Sequence, residues 1–350
     1  MEATSKLSGK EFMNKLLNGA ALGIVVGLIP SAIFGAVFNS LSQYGGIWVT
    51  LAQLVSNFSF SVPFLVGMFI ALQFGLAPIH TASVAAAAFI GSGAAQFTQD
   101  GWLLKGTGDL VNTILTVAIA IFIIRLYGQR LPNLTIVMVP ILGGAIPGLI
   151  GRFTLPYVAR LTAMLGNLIA NFTQLQPFFM MVLLAIAFAI IIVTPLSTVA
   201  IAYAISLAGL GAGAANVGIA ATLFTLVYGS WRVNNPGTTF TLFFSGPKLF
   251  MANVLQNPKV FAAIIINAAV TGFVSYIFKI QGTTASAGFG ITGLSGPITA
   301  LSFMEGSIIV NIGILLLQYL VVPLGMAMIT HHLFTGMKLY TDDVFKFAGN

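Results

Sequence analysis

No charged residue occurs between Arg160 and Arg232, and no carboxylate between Asp109 and Glu305. Water cannot be the solvent for the surface of so long a run. A helix needs roughly 20 apolar residues to cross the hydrocarbon core, so the first gap alone holds about three crossings. Of the 350 residues 58% are hydrophobic and 6% charged, where a soluble domain is about 25% charged. A β-barrel would show segments of about ten residues alternating apolar and polar. "MMVLLAIAFAIIIV", from Met180 to Val193, is apolar on every face. The chain therefore reads as an all-α polytopic membrane protein.

The start, "MEATSKLSGKEFMNKLLNGAALGIVVGLIP", carries Lys6, Lys10 and Lys15 ahead of an apolar run that continues through Phe38. A signal peptide begins in the same way, but many further apolar runs follow here. We read a first transmembrane helix whose basic flank stays in the cytoplasm. Lys338 and Lys346 follow the last apolar run, so both termini are expected to be cytoplasmic and the number of spans even. Positive-inside loops and anionic headgroups account for the net charge of +7. Nucleic acid is not implied, since no basic cluster is longer than "RLYGQR", Arg125 to Arg130. The chain has no cysteine, which excludes disulfides, thiolate metal sites and a phosphocysteine within it. Three scattered histidines do not make a metal site, and no cofactor is expected.

Candidate spans are roughly 16–38, 47–75, 78–97, 109–128, 132–151, 177–194, 196–213, 215–229, 260–279 and 306–330. Between them, "RFTLPYVARLTAMLGNLIANFTQ" (Arg152 to Gln174) sets apolar positions at helical spacing among Arg152, Arg160, Asn167 and Asn171. It is either an interfacial amphipathic helix linking two halves or a moderately polar span. The first reading divides the chain into 1–151, a dimerisation and scaffold half, a linker at 152–174, and 175–350, which carries the solute site. "APIHTASVAAAA" from Ala77 and "TPLSTVAIAYAI" from Thr194 match at Pro78/Pro195, Thr81/Thr198, Ala85/Ala202 and Ala87/Ala204. This is either a trace of a duplicated unit, which would place a substrate site where the copies meet, or a coincidence of two Ala-rich helices. Gly19, Gly23 and Gly27 form a small-residue stripe at four-residue spacing, a close-packing pattern that points to a homodimer.

Two regions are not plain spans. One is "YGSWRVNNPGTTFTLFFSGPKL" (Tyr228 to Leu249), continuing to Phe261; the other runs from Lys279 to Ser307. Both are rich in Gly, Ser, Thr and Pro, and each holds a Gly-Pro pair, Gly246-Pro247 and Gly296-Pro297. Non-helical backbone at membrane depth persists only where it is buried in protein or lines a wet cavity. Two re-entrant hairpins facing a cavity satisfy that rule, and so do two surface loops. Arg232 at membrane depth needs a buried polar partner or a polar ligand, and Asn234 and Asn235 supply amide donors and acceptors beside it. The alternative is a loop arginine snorkelling to headgroups. Glu305 could accept hydrogen bonds from neighbouring sugar hydroxyls or act as counter-ion to Arg232 or Lys248. Lys248 is expected nearer the cavity mouth. His80 could bind solute or move a proton, or be satisfied by a carbonyl. His331 and His332 read as interfacial and without chemistry. "GFGITG" (Gly288 to Gly293) matches a dinucleotide fingerprint literally but lacks the flanking strand, helix and acid, so it reads as backbone for a tight turn.

The start "NKLLNGAALGIVVGLIP", the run from Pro78 to Gly93, "RVNNPGTTF", "SGPKLFMANV" and "GLSGPITAL" together resemble the EIIC-like membrane proteins of the bacterial phosphotransferase system. The nearest branch is the stand-alone type once called the perfringolysin-regulator group. The resemblance covers almost the whole chain. It implies a homodimer in the bacterial cytoplasmic membrane, with about ten spans and two re-entrant hairpins around a sugar site. It also implies a separate EIIB protein that donates the phosphoryl group, no EIIA or EIIB sequence being attached here. Relatives contact the sugar through a carboxylate and a histidine near the hairpins. Glu305 matches the carboxylate, whereas only His80 remains for the histidine, in a different region. The implied function is a sugar-translocating, phosphorylation-dependent permease subunit. The alternatives are a carrier of small solutes that does not phosphorylate them, or a membrane sensor.

Overall fold

The structure is a computed structural model and describes residues 7–99, 101–127 and 134–347. Lys6 and Arg130, which entered the charge argument, lie outside the described residues. Seven helices among the described residues are long and apolar enough to cross a membrane: Gly9–Ser31, Gly46–Gln73, Leu110–Tyr127, Thr135–Phe172, Gly209–Val233, Val260–Ile277 and Ile308–Gly336. The chain is a polytopic all-α membrane protein. It divides into two compact units, one formed by residues 1–31 and 50–161, the other by 32–49 and 162–350.

The N-terminal unit draws on α1 (Gly9–Leu41), α2 (Gly46–Ser56), α3 (Val62–Gln73), α4 (Pro78–Ser92), α5 (Leu110–Tyr127), α6 (Thr135–Val139) and α7 (Ile146–Phe172). Its packing rests on small residues that let backbones approach, the usual device where lipid removes the hydrophobic drive between helices. A Cβ on Gly19 would come within 2.5 Å of the Ile70 Cα, and one on Gly23 equally close to the Val66 Cα. The glycine stripe of α1 is thus filled by α3 of the same chain, and it is not a free face for a second copy. Asn112 ties three helices together: its Nδ2 donates to the Gly91 and Gly151 carbonyls, both at 2.7 Å, and its Oδ1 accepts from Thr154 Oγ1 at 2.8 Å. Where a span to residue 97 was expected, α4 stops at Gly93, which takes a left-handed φ of +71°. An antiparallel pair follows, β1 (Ala95–Thr98) with β2 (Gly101–Leu104), carrying exposed Phe97 and Trp102 in edge-to-face contact. A π-turn, Pro140–Ala145, joins α6 to α7.

Residues 152–172 are the C-terminal part of the continuous helix α7, with no break between it and the preceding apolar turns. The expected boundary between a span at 132–151 and a separate linker helix therefore does not exist. Pro156 sits inside α7, and polar positions there share the helix with exposed Phe153, Tyr157 and Met164.

The C-terminal unit contains α8 (Pro177–Ile191), α9 (Thr198–Ala204), α10 (Gly209–Val233), α11 (Pro236–Ser245), α12 (Met251–Gln256), α13 (Val260–Ile277), α14 (Ser295–Leu301), α15 (Ile308–Leu316) and α16 (Val322–Gly336). At its centre lies α10, buried on nearly every face. Gly218 abuts the Ala185 carbonyl of α8, and Gly213 the Ile280 carbonyl that follows α13. Asn267 Nδ2 donates to Ala221 O (3.2 Å), Thr225 Oγ1 (2.9 Å) and Pro323 O (2.8 Å), joining α10, α13 and α16. The expected spans at 196–213 and 215–229 are corrected here. In the first, the seven-residue α9 ends at Ala204, Ser206 follows with φ +49°, and residues from Gly209 on are already α10. The second is extended to the 25 residues of α10. Pro195, with Thr194 bonding the Ile191 carbonyl before it, ends α8 and prevents helix from running on. Pro78, by contrast, is the first residue of α4, so the two matching stretches fold differently.

Candidate functional site

The stretch from Tyr228 to Leu249 folds as the last turns of α10, a break at Asn234-Asn235, helix α11, a turn at Gly246 with φ +84°, and a 3-10 turn over Pro247–Phe250. Asn235 caps α11, its Oδ1 accepting from Thr238 N at 2.8 Å, with Pro236 at the first helical position. Ser230 and Thr239 hydroxyls meet at 2.9 Å and hold α10 to α11.

Arg232 and Asn234 face the C-terminal segment. Arg232 Nε donates to Asp342 Oδ2 at 3.1 Å. His331 Nε2 lies 2.9 Å from Asp342 Oδ1, inside a ring of Tyr228, Tyr340 and Phe345. Asn234 Nδ2 donates to Phe345 O at 2.7 Å while its Oδ1 accepts from Phe347 N at 2.9 Å. Asn253 Nδ2 donates to Lys346 O at 2.7 Å. Burial pushes the Asp342 carboxyl up, but the hydrogen bonds and charges of Arg232 and His331 outweigh it and hold the group below its ordinary value. Burial, then the charge of Asp342, pushes the Tyr340 phenol up to about 12. The counter-ion of Arg232 is thus Asp342, not Glu305. His331, read from sequence as interfacial and without chemistry, is 3% exposed and bonded to that same carboxylate.

Lys248 is placed differently from the expected cavity mouth. Its side chain is buried, and Nζ donates to the carbonyls of Thr194 and Leu196, both at 2.8 Å. Those carbonyls belong to the break between α8 and α9. Among the described residues no carboxylate pairs with the amine, and burial pushes it down to about 7.

The Gly-rich loop between α13 and α14 is folded onto α9 and α10. Gly209 and Gly282 exchange backbone hydrogen bonds at 2.9 and 3.0 Å. Thr198 Oγ1 donates to Gly288 O at 2.9 Å, and Gly290 N donates to Asn216 Oδ1 at 3.1 Å. Gly288 (φ +98°) and Gly290 (φ +65°) occupy backbone regions that side chains avoid, and a Cβ on either would strike α9 or α10. "GFGITG" is therefore turn backbone. The loop reaches the first stretch where a Cβ on Gly246 would lie 3.1 Å from Thr292 Oγ1. Glu305 stands exposed in the turn between α14 and α15, with its backbone carbonyl accepting from Asn311 Nδ2 at 3.2 Å. Among the described residues its carboxylate has no partner.

Sequence reasoning missed the polar groups around the second π-turn, Leu317–Val321. Gln318 Nε2 donates to Thr271 O at 2.8 Å, leaving Gln318 Oε1 buried without a partner among the described residues. Ser275 Oγ, one turn along α13 from Thr271, and Tyr319 OH are left in the same condition. A Cβ on Gly296 would lie 3.1 Å from that hydroxyl. Gln318 inside "LLLQYLVVP" was a readable signal, because a polar side chain in such a run needs a reason.

His80 belongs to the N-terminal unit, while the other five expected site residues belong to the C-terminal one. Its buried ring stacks on Tyr127 with centroids 6.4 Å apart, and Nδ1 has no partner among the described residues. No group of three His, Asp or Glu able to hold a metal ion occurs among the described residues.

A family model described as "Phosphotransferase system, EIIC" matches residues 14–347. No curated protein matches the chain, and no solved structure matches it.

Proposed function

Since the chain belongs to the EIIC family of the phosphotransferase system, we propose that it is the solute-translocating subunit of such a system and that its solute is a sugar. The C-terminal unit carries the path. The observation behind this is the meeting of two Gly/Pro-broken segments at Gly246 and Thr292, with short helices α11 and α14 inside them. Backbone so interrupted in an apolar unit belongs where protein or a wet cavity receives its free carbonyls and amides. Both segments are then re-entrant. Glu305, exposed and without an ion pair among the described residues, is the hydroxyl-binding carboxylate. Gln318 Oε1, Ser275 Oγ and Tyr319 OH, buried without a partner among the described residues of the same unit, are offered as further polar contacts for the solute. Arg232, Asn234 and Asn235 already have partners in the chain, so we assign them to holding the tail and α11. A separate phosphorylated EIIB supplies the phosphoryl group, the protein works as a homodimer, and both termini face the cytoplasm of a bacterial cell. The glycine stripe of α1 no longer supports the dimer, which rests on the family alone.

Uptake of a panel of labelled sugars into vesicles, with and without phosphorylated EIIB, tests this reading. Phosphorylated sugar inside only when EIIB is present is the expected result. Glu305→Gln should weaken sugar binding by about 1.5–3 kcal/mol and leave thermal stability unchanged. Uptake of unmodified sugar without EIIB would instead support a carrier that does not phosphorylate. Lys248, a buried amine with no carboxylate paired to it among the described residues, is the observation favouring that second reading.

A further inference from the structure

Among the described residues, Lys248 has two acceptors and no counter-ion. A neutral amine carries two N–H bonds, and the carbonyls of Thr194 and Leu196 take both at 2.8 Å. The lone pair is left over. A protonated amine carries three N–H bonds, and its third has no acceptor among the described residues around it. Among the described residues, the C-terminal segment packs on the turn holding Lys248 through Phe347 on Phe250 and carries Asp342, bonded to Arg232 and His331, with Asp343 and Lys346; neither acid bonds the Lys248 amine. On α10 the titratable groups are Tyr228 and Arg232, the latter already on Asp342, while α11 and α12 have none. Of the two helices flanking the break, α8 has none and α9 has only Tyr203, 55% exposed; the loop that reaches Gly246 carries Lys279. Two effects therefore oppose each other at one atom. Burial disfavours the charge, and the carbonyls beyond the C-terminal end of α8 favour it.

We propose that the Lys248 amine is a reversible proton-binding site that couples the shape of the α8–α9 break to proton uptake, making solute movement through the C-terminal unit proton-linked. The proton comes from water and returns to it, adding to the nitrogen lone pair, and no other bond changes. The third N–H then requires an oxygen acceptor, supplied by an entering water or by a hydroxyl of the solute. Filling it moves the Thr194–Leu196 turn, and with it α9, whose Thr198 holds the Gly288 carbonyl of the second segment. The link to solute movement rests on the second reading above, a carrier that does not phosphorylate its solute; proton binding at Lys248 does not.

The absence of cysteine allows a single reporter thiol. A nitroxide on Ala200→Cys, an exposed position on α9, is followed by spin resonance in lipid nanodiscs from pH 5.5 to 9, without solute. The expected result is a change in label mobility centred near neutral pH. Lys248→Arg, with a fixed charge, should hold the low-pH spectrum throughout, and Lys248→Met the high-pH spectrum. A titration that survives unchanged in either variant, or no titration in the parent, overturns the proposal. If Lys248→Met fails to fold, Lys248→Arg alone decides. Sugar uptake is scored separately, so failure of the transport reading cannot be mistaken for failure of the proton site.

Discussion

Arg232 and Lys248 stand at the two ends of one stretch, and the chain uses them in opposite ways. Arg232 is 40% exposed in its side chain and meets a carboxylate, Asp342, that is 35% exposed. Lys248 is 7% exposed and meets only backbone carbonyls. The arginine, which cannot lose its proton, closes a clasp on the C-terminal segment. The lysine, whose charge can be given up, holds the break between α8 and α9. A cation in an apolar chain is thus not by itself a solute site: its partners decide whether it fastens, moves or binds.

The contrast breaks most visibly at the lysine. Lys248→Glu points a buried acid at two carbonyl oxygens and should destabilise the protein by about 3–5 kcal/mol, read from thermal unfolding in detergent. The pH dependence sharpens it. Burial lowers the Lys248 amine to about 7 in the folded chain, against about 10.4 when unfolded. Between those values the unfolded chain binds the extra proton, so stability rises with pH from about 7 toward 10, with a slope approaching about 1.4 kcal/mol per pH unit, and is level below 7. Lys248→Met should remove that slope; a slope left intact would refute the assignment.

At the other end, Asn234→Ala removes both bonds to the tail. It should cost about 1–3 kcal/mol and open residues 338–347 to protease, as mass analysis of the fragments would show. Asp342→Asn is the smallest effect. Its carboxyl is held below the ordinary value, so its contribution is present above about pH 4 and lost as the pH falls through its folded value. Because the pair is partly exposed, the gap to the parent should be about 0.5–1 kcal/mol near neutral pH and close in acid.

The sequence shows the membrane fold directly, because apolar runs and the scarcity of carboxylates follow from lipid as solvent. It hides what depends on distance along the chain. Arg232 finds Asp342 more than a hundred residues away, and no local spacing announces that pairing. Ala-rich residues 196–213 carry hydropathy enough for a span, yet the backbone is needed to show Pro195 ending α8 and α9 stopping at Ala204, before Ser206. The glycine stripe of α1 was legible as a packing face, but its occupant, α3, was not. Glu305 stood out as an isolated acid and has no ion pair among the described residues, whereas Gln318 was overlooked because one amide barely alters the mean hydropathy of its run.

Hydrogen exchange of Lys248→Met and Arg232→Ala, each compared with the parent by mass spectrometry at one pH, tests the division between the two cations most directly. Faster exchange is predicted at 192–208 alone in the lysine variant, and at 338–347 alone in the arginine variant. If both substitutions loosened the same segment, or if 192–208 did not respond to loss of the Lys248 amine, the two residues would not have the separate roles assigned to them.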